Sequence, residues 1–192
     1  MLVGVTGNLA VGKSALMHVF HRLGFKAYYA DEMVYRLYEE KEDLKQKIGK
    51  EFGSTVINAG YVDNELLAII VFGDKKKLEK LNSIVHPLIK DEIKKIDHKE
   101  KTVFVEVPLL FEAGFEKMFE KIILVDCSRE VALSRALETG MTEGDFEKRV
   151  SVQWGAEKKK PKCDFVVDSN VSMHDLSKKA EEIAAKLKGE SK

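Results

Sequence analysis

The octet Gly7-Asn8-Leu9-Ala10-Val11-Gly12-Lys13-Ser14 follows directly on a short apolar run, Leu2-Val3-Gly4-Val5-Thr6. It fits G-x-x-x-x-G-K-[ST], and no other stretch constrains the fold as tightly. A strand must end where the glycines let the backbone turn, and successive N–H groups then point inward as a nest for an anion. A helix must follow, with the positive end of its dipole toward that anion. Leu16, Val19, Phe20 and Leu23 do recur at helical spacing, and Gly24 supplies the stop. The residues predict a phosphate-binding loop over Gly7, Asn8, Leu9, Ala10, Val11, Gly12, Lys13, Ser14 and Ala15. Lys13 is expected to reach the outer phosphates of a nucleotide, and Ser14 to offer its hydroxyl to Mg²⁺.

Composition narrows the ligand. The 192 residues carry 32 basic and 32 acidic side chains, a formal net charge of zero. No global field draws the chain to nucleic acid or to an anionic membrane, so phosphate recognition must be local. Cys127 and Cys163 lack metal-ligand spacing and read as reduced, near-core thiols. No apolar run reaches membrane-spanning length, and the opening residues read as a strand rather than a signal sequence. The expectation is a soluble, cytoplasmic protein, a monomer or small homo-oligomer, with no nucleic-acid or membrane partner.

Along the chain, Phe25 to Ala30 is a second apolar run with Asp31 at its carboxyl end. From Glu32 to about Phe52 the spacing predicts one helix, broken by Gly53. Another is predicted from Tyr61 with Asp63 as a cap, then a Lys-rich helix, a reset at His86-Pro87 and one more helix through Ile96. Between Asp31 and His98 only helices are expected, which is too long for an ordinary crossover and reads as an insertion. Thr102 to Val107, Lys121 to Asp126 and Asp164 to Val167 read as buried strands that alternate with helices. Such alternation implies a five-stranded parallel sheet with helices on both faces. The expected organisation is a single domain, 1–192, with a core of residues 1–31 and 99–192, a helical insertion over 32–98 and a lid over 129–153. Lys158-Lys159-Lys160-Pro161-Lys162 reads as a solvated loop or, alternatively, as a basic segment near bound phosphates.

Ligands of an open parallel sheet bind outside the carboxyl ends of its strands. The loop, Asp31 and the segment Pro108-Leu109-Leu110-Phe111-Glu112 each follow a strand, so topology gathers them at one edge. A carboxylate there can take a proton from an acceptor hydroxyl, although an Asp before a helix is also a common cap. His86 reads equally as a packed residue. Arg135 and Arg149, near a glycine-bracketed segment, could close over transferring phosphates or could form surface ion pairs. The absence of N-K-x-D and D-x-x-G removes a GTPase reading, and the pattern suggests a small-molecule kinase.

These residues resemble the dephospho-coenzyme A kinase family over nearly the whole chain. The likeness rests on Val5 through Ser14, Ala30-Asp31, Val85-His86-Pro87-Leu88-Ile89, Val107 through Glu112, the pair Arg149 and Gln153, and Asp164 through Asp168 leading to Asn170. The resemblance implies ATP-dependent phosphorylation of the ribose 3′-hydroxyl of dephospho-CoA. It implies Asp31 as base, Lys13 and Ser14 on ATP and Mg²⁺, Arg135 as a lid arginine, and Arg149 and Asn170 on the nucleotide. Asp31, His86, Pro108, Leu109, Leu110 and Glu112 would form the acceptor side. The chain departs from the family pattern at Tyr29, where a first Asp is usual, at Asn8 and Ala10, where glycines are usual, and at Thr139, where a second lid arginine is usual. Another P-loop nucleoside or nucleotide kinase, or a non-catalytic ATP-binding regulator, are the alternative readings.

Overall fold

A computed structural model describes residues 1–98 and 101–190. In chain order the elements are β1 (Leu2–Thr6), α1 (Lys13–Arg22), β2 (Lys26–Tyr29), α2 (Ala30–Glu40), α3 (Glu42–Phe52), β3 (Ile57–Asn58), β4 (Tyr61–Val62), α4 (Asn64–Phe72) and α5 (Lys75–Lys94). They continue with β5 (Val103–Glu106), β6 (Lys121–Asp126), α6 (Arg129–Glu138), α7 (Glu143–Ser151), α8 (Ala156–Lys159), β7 (Phe165–Asp168) and α9 (Met173–Glu190). Contacts divide the chain into two compact units, Met1–Tyr29 with Asp97–Lys192, and Ala30–Ile96.

The first unit holds a five-stranded sheet in the order β2-β5-β1-β6-β7. Every pairing in it is parallel. β1, β5 and β6 lie inside and are almost wholly buried, as their runs of Val, Ile and Leu require. Helix α1 lays Leu16, Met17, Val19 and Phe20 into a core with Val3, Val5, Phe104, Ile123 and Val125. The Phe20 and Phe104 rings stack with centroids 3.8 Å apart, and Phe25 meets both edge-on. Each such buried ring contributes about 1.5–3 kcal/mol. Helix α9 completes this core with Leu176, Ala180, Ile183, Ala184 and Leu187. The sheet therefore fixes the carboxyl ends of β1, β5 and β6 side by side, where the loop stands.

The second unit differs from expectation in three places. The helix expected over residues 32–52 divides at Lys41, whose backbone is extended. Glu39 and Glu40 lie at the negative end of the α2 dipole, whereas Glu42 and Asp43 sit favourably in the first turn of α3. The helices-only expectation also fails, because β3 and β4 form an antiparallel hairpin. Its loop residues Ala59 (φ 49°) and Gly60 (φ 84°) are both left-handed, the geometry that two-residue hairpins favour. Tyr61 therefore belongs to a strand, and Asp63 caps α4 by accepting the Leu66 N–H. Finally, α5 runs unbroken through Pro87. Burial of Leu78, Val85, Ile89 and Ile93 along one stripe outweighs the roughly 3 kcal/mol that an interior proline costs. Among the described residues, no helix is long and apolar enough to cross a membrane.

Candidate active site

β1 ends at Thr6, and Gly7 to Gly12 turn the chain into α1. Gly7 has φ 151°, and a Cβ there would stand 2.3 Å from the Val125 carbonyl oxygen. No side chain fits, so the turn presses against β6. Gly12, at φ 88°, is the residue before α1, and a Cβ on it would come within 3.3 Å of Arg135 Nη1 and 3.4 Å of Ser169 Oγ. Ala10 adopts φ 58°, left-handed geometry that costs a non-glycine residue roughly 1 kcal/mol. Asn8, the other departure from the usual glycines, is not among the positive-φ residues.

Lys13 is buried, yet its ammonium is held by the loop's own backbone, donating to the Asn8 carbonyl at 2.8 Å. Glu106, the last residue of β5, stands 4.0 Å from the same ammonium, and both side chains are about nine-tenths buried. Ser14 is exposed at the start of α1. Thr6 Oγ1 donates to the Pro108 carbonyl at 3.1 Å and joins the ends of β1 and β5.

Arg135, near the end of α6, reaches the far side of the loop. It donates from Nη1 to Ser169 Oγ (3.1 Å) and from Nη2 to the Ser169 carbonyl (2.8 Å). The buried Ser169 hydroxyl in turn donates to the Val11 carbonyl at 2.6 Å. Loop, serine and arginine thus form one chain of hydrogen bonds. Asn170 accepts the Ser128 N–H at 3.1 Å, which ties the residues after β7 to the start of α6. Arg149 is half-buried on α7, where its charge acts on the exposed Asp145 carboxyl, held low mainly by its hydrogen bond with Thr142.

The Pro108–Glu112 segment divides in role. Leu110 is fully buried, and its Cδ1 occupies the space a Cβ on Gly4 would need. Its side chain packs in the core beneath the segment. Pro108 and Leu109 are half-buried. Glu112 Oε1 accepts the Trp154 N–H at 2.6 Å and pairs with Lys159 Nζ at 3.0 Å. Glu112 Oε2 is buried without a hydrogen-bond partner among the described residues. The lysine run is helical rather than a loop, formed by the end of α8 and the 3₁₀ turn Lys160–Lys162; Lys158, Pro161 and Lys162 are exposed as expected, but Lys159 is fully buried.

Asp31 and His86 belong to the helical unit. Asp31 lies inside the first turn of α2, not at its cap. It bears on Tyr38, whose hydroxyl is pushed well above its ordinary range by burial first and then by Tyr35 and Asp31. His86, inside α5, titrates at about 4, lowered by burial and then by the Lys90 charge. Both cysteines are free, and burial pushes each thiol up, to about 11 at Cys163. They are poor nucleophiles at neutral pH.

Glu106 and Ser169 escaped the reading of the sequence, as did the choice of Lys159 from its lysine run. Glu106 did leave a signal, an acid closing the apolar run Val103-Phe104-Val105. Ser169 and Lys159 left none, because their partners lie more than a hundred residues away in the loop.

The nest, its lysine and an arginine over Gly12 fit a nucleotide's phosphates. The family model for dephospho-CoA kinase (CoaE) matches residues 1–175. This chain belongs to the dephospho-CoA kinase family. The dephospho-CoA kinase of Fusobacterium nucleatum is 36% identical over 185 residues, covering 94% of this chain and 95% of that protein. Among solved structures, dephospho-CoA kinase from Campylobacter jejuni superposes with a TM-score of 0.71 at 27% identity, over 98% of both chains. A crystal structure from Thermus thermophilus gives a TM-score of 0.80 at 26% identity, over 97% of both chains.

Proposed function

We propose that this kinase transfers the γ-phosphoryl of ATP to the ribose 3′-hydroxyl of dephospho-CoA, giving CoA and ADP, in the cytoplasm and as a monomer or small homo-oligomer. The observation that carries the reading is the preformed loop, with the Lys13 ammonium already folded over the Asn8 carbonyl beside Glu106. When bound, Mg-ATP supplies the phosphoryl group and a divalent charge that offsets its oxygens.

The chain's residues then have separate tasks. The N–H groups of the loop and the amino end of α1 receive the phosphates, and Lys13 exchanges the Asn8 carbonyl for phosphate oxygens. The Ser14 hydroxyl would be the ligand offered to Mg²⁺, whose divalent charge would offset the phosphate oxygens, with the Glu106 carboxylate on the same edge. Arg135, oriented by both atoms of Ser169, stabilises charge on the transferring group, and Arg149 and Asn170 serve the nucleotide. Asp31, two residues along the chain from the end of β2, takes the proton from the 3′-oxygen as that oxygen bonds to phosphorus and the bond to ADP breaks. Pro108, Leu109, Leu110 and Glu112 serve the acceptor from the sheet-bearing unit; His86 of the helical unit, neutral at physiological pH, accepts or donates one hydrogen bond.

A coupled ADP-release assay with Mg-ATP tests this directly. Saturable turnover is expected on dephospho-CoA and none on adenosine, cytidine or nucleoside monophosphates. Turnover on a nucleoside with silence on dephospho-CoA would overturn the assignment.

A further inference from the structure

Lys159 closes α8 with no exposed surface, which is an unusual position for an ammonium group. Its charge is paired with Glu112 Oε1 at 3.0 Å, and it also donates to the side-chain oxygen of Asn8 at 3.0 Å. Glu112 supplies the opposite charge, and a buried pair recovers its desolvation only with further hydrogen bonds. The second bond goes to the loop residue whose carbonyl takes the Lys13 ammonium at 2.8 Å. One residue further along the loop, the Leu9 N–H donates to Gln153 Oε1 at 2.9 Å. Between these two holds, the Trp154 N–H reaches Glu112, and the Trp154 ring stacks on Phe111 while Lys158 lies over it. The stretch from Gln153 to Lys159 is thus a strap. It grips consecutive residues of the phosphate-binding loop at its two ends, and the segment after β5 through Phe111 and the Glu112 carboxylate.

We propose that Lys159 is a positioning residue for Mg-ATP. Through Asn8 it fixes the peptide that parks Lys13, and through Glu112 it ties that peptide to the residues following β5. Asn8 stands where the family usually has glycine, so this chain carries a side-chain grip where a glycine offers only backbone. The inference rests on reading the loop as an ATP site. It does not depend on the identity of the acceptor.

Calorimetric titration of the full-length protein with Mg-ATP, alongside steady-state kinetics and thermal melting, tests the proposal. Loss of a hydrogen bond to a charged group predicts about tenfold weaker ATP binding in Lys159→Met. Asn8→Ala is expected to weaken ATP severalfold, and Lys159→Met should add little in that background, since both remove the same contact. A purely structural lysine would lower the melting temperature and leave the Kd of the folded protein at its wild-type value. That result, or two losses that multiply in full, would overturn the proposal. If Lys159→Met does not fold, Asn8→Ala decides alone, because it leaves the Lys159–Glu112 pair intact: weaker ATP binding supports the strap and unchanged binding overturns it. Wild-type protein that bound no Mg-ATP would also overturn it. Tight ATP binding without turnover on dephospho-CoA would remove the substrate assignment while leaving this test standing.

Discussion

In the sheet-bearing unit Lys13, Glu106 and Lys159 are buried, and Glu112 is nearly so, all four within ion-pair distance of an opposite charge. In the helical unit ion pairs such as Arg36 with Glu92 and Lys80 with Glu51 lie toward the surface. That unit is held instead by apolar burial of Leu37, Leu44, Ile48, Val56, Leu67 and Ile93. Buried pairs are expensive in desolvation and add little net stability, but they leave a group one position to occupy. Surface pairs contribute at most about 1 kcal/mol and tolerate rearrangement. The phosphate loop is therefore built in advance of its ligand, and the helical unit spends its polar groups on solvation rather than on fixed geometry.

Lys13→Ala is the most severe way to break this comparison. A preorganised cation that acts on transferring phosphate should cost about 10³-fold or more in turnover when removed. The melting temperature should fall as well, because Glu106 loses its buried partner. Near wild-type ADP release by folded Lys13→Ala would show that the buried charges are structural. Asp31→Asn asks whether the helical unit supplies chemistry. A rate loss of about 10²-fold or more is expected with both substrates still bound and the melting temperature kept. A variant that melts early but turns over normally would make Asp31 a residue of the α2 first turn and nothing else.

His86 sharpens the contrast through pH. Its native-state value of about 4 lies below its ordinary 6.5, so the unfolded chain takes up the proton first as pH falls. The stability it contributes is complete above pH 6.5 and drains away as pH falls through about 4. Discounted for its partial exposure, the loss amounts to about 1–2 kcal/mol. Urea unfolding at neutral pH and near the lower value should therefore give a smaller difference for His86→Gln than for the wild type. Equal differences would mean that the imidazole titrates normally. The smallest expected effect is at Ala10. Glycine there relieves left-handed strain and should raise stability by roughly 0.5–1 kcal/mol in denaturant melts, less the added freedom of the unfolded chain. A lower melting temperature would mean that the loop is not strained at that residue.

The octet and its flanking periodicities made the sheet-bearing unit legible. Strand, loop and helix obey local rules at β1 and α1, and β6 was expected over the residues it occupies, Lys121–Asp126. The helical unit was harder to read. Proline is a local stop signal, yet a buried stripe carried α5 through Pro87, and the left-handed pair Ala59-Gly60 made a hairpin where only helices and their connections were expected.

At the site the same division holds. The sequence by itself determined the phosphate nest, Lys13 and Ser14, because spacing within eight residues dictates their geometry. It also determined, through the stretches around His86 and Pro108, which family the chain belongs to. Only the tertiary structure decided that Glu106 faces Lys13, that Ser169 carries Arg135 to Gly12, and that one lysine of a charged run is buried beneath the loop. Those contacts join residues roughly 30 to 160 positions apart, and no local preference encodes them. They exist because a parallel sheet sets the ends of β1, β5, β6 and β7 next to one another.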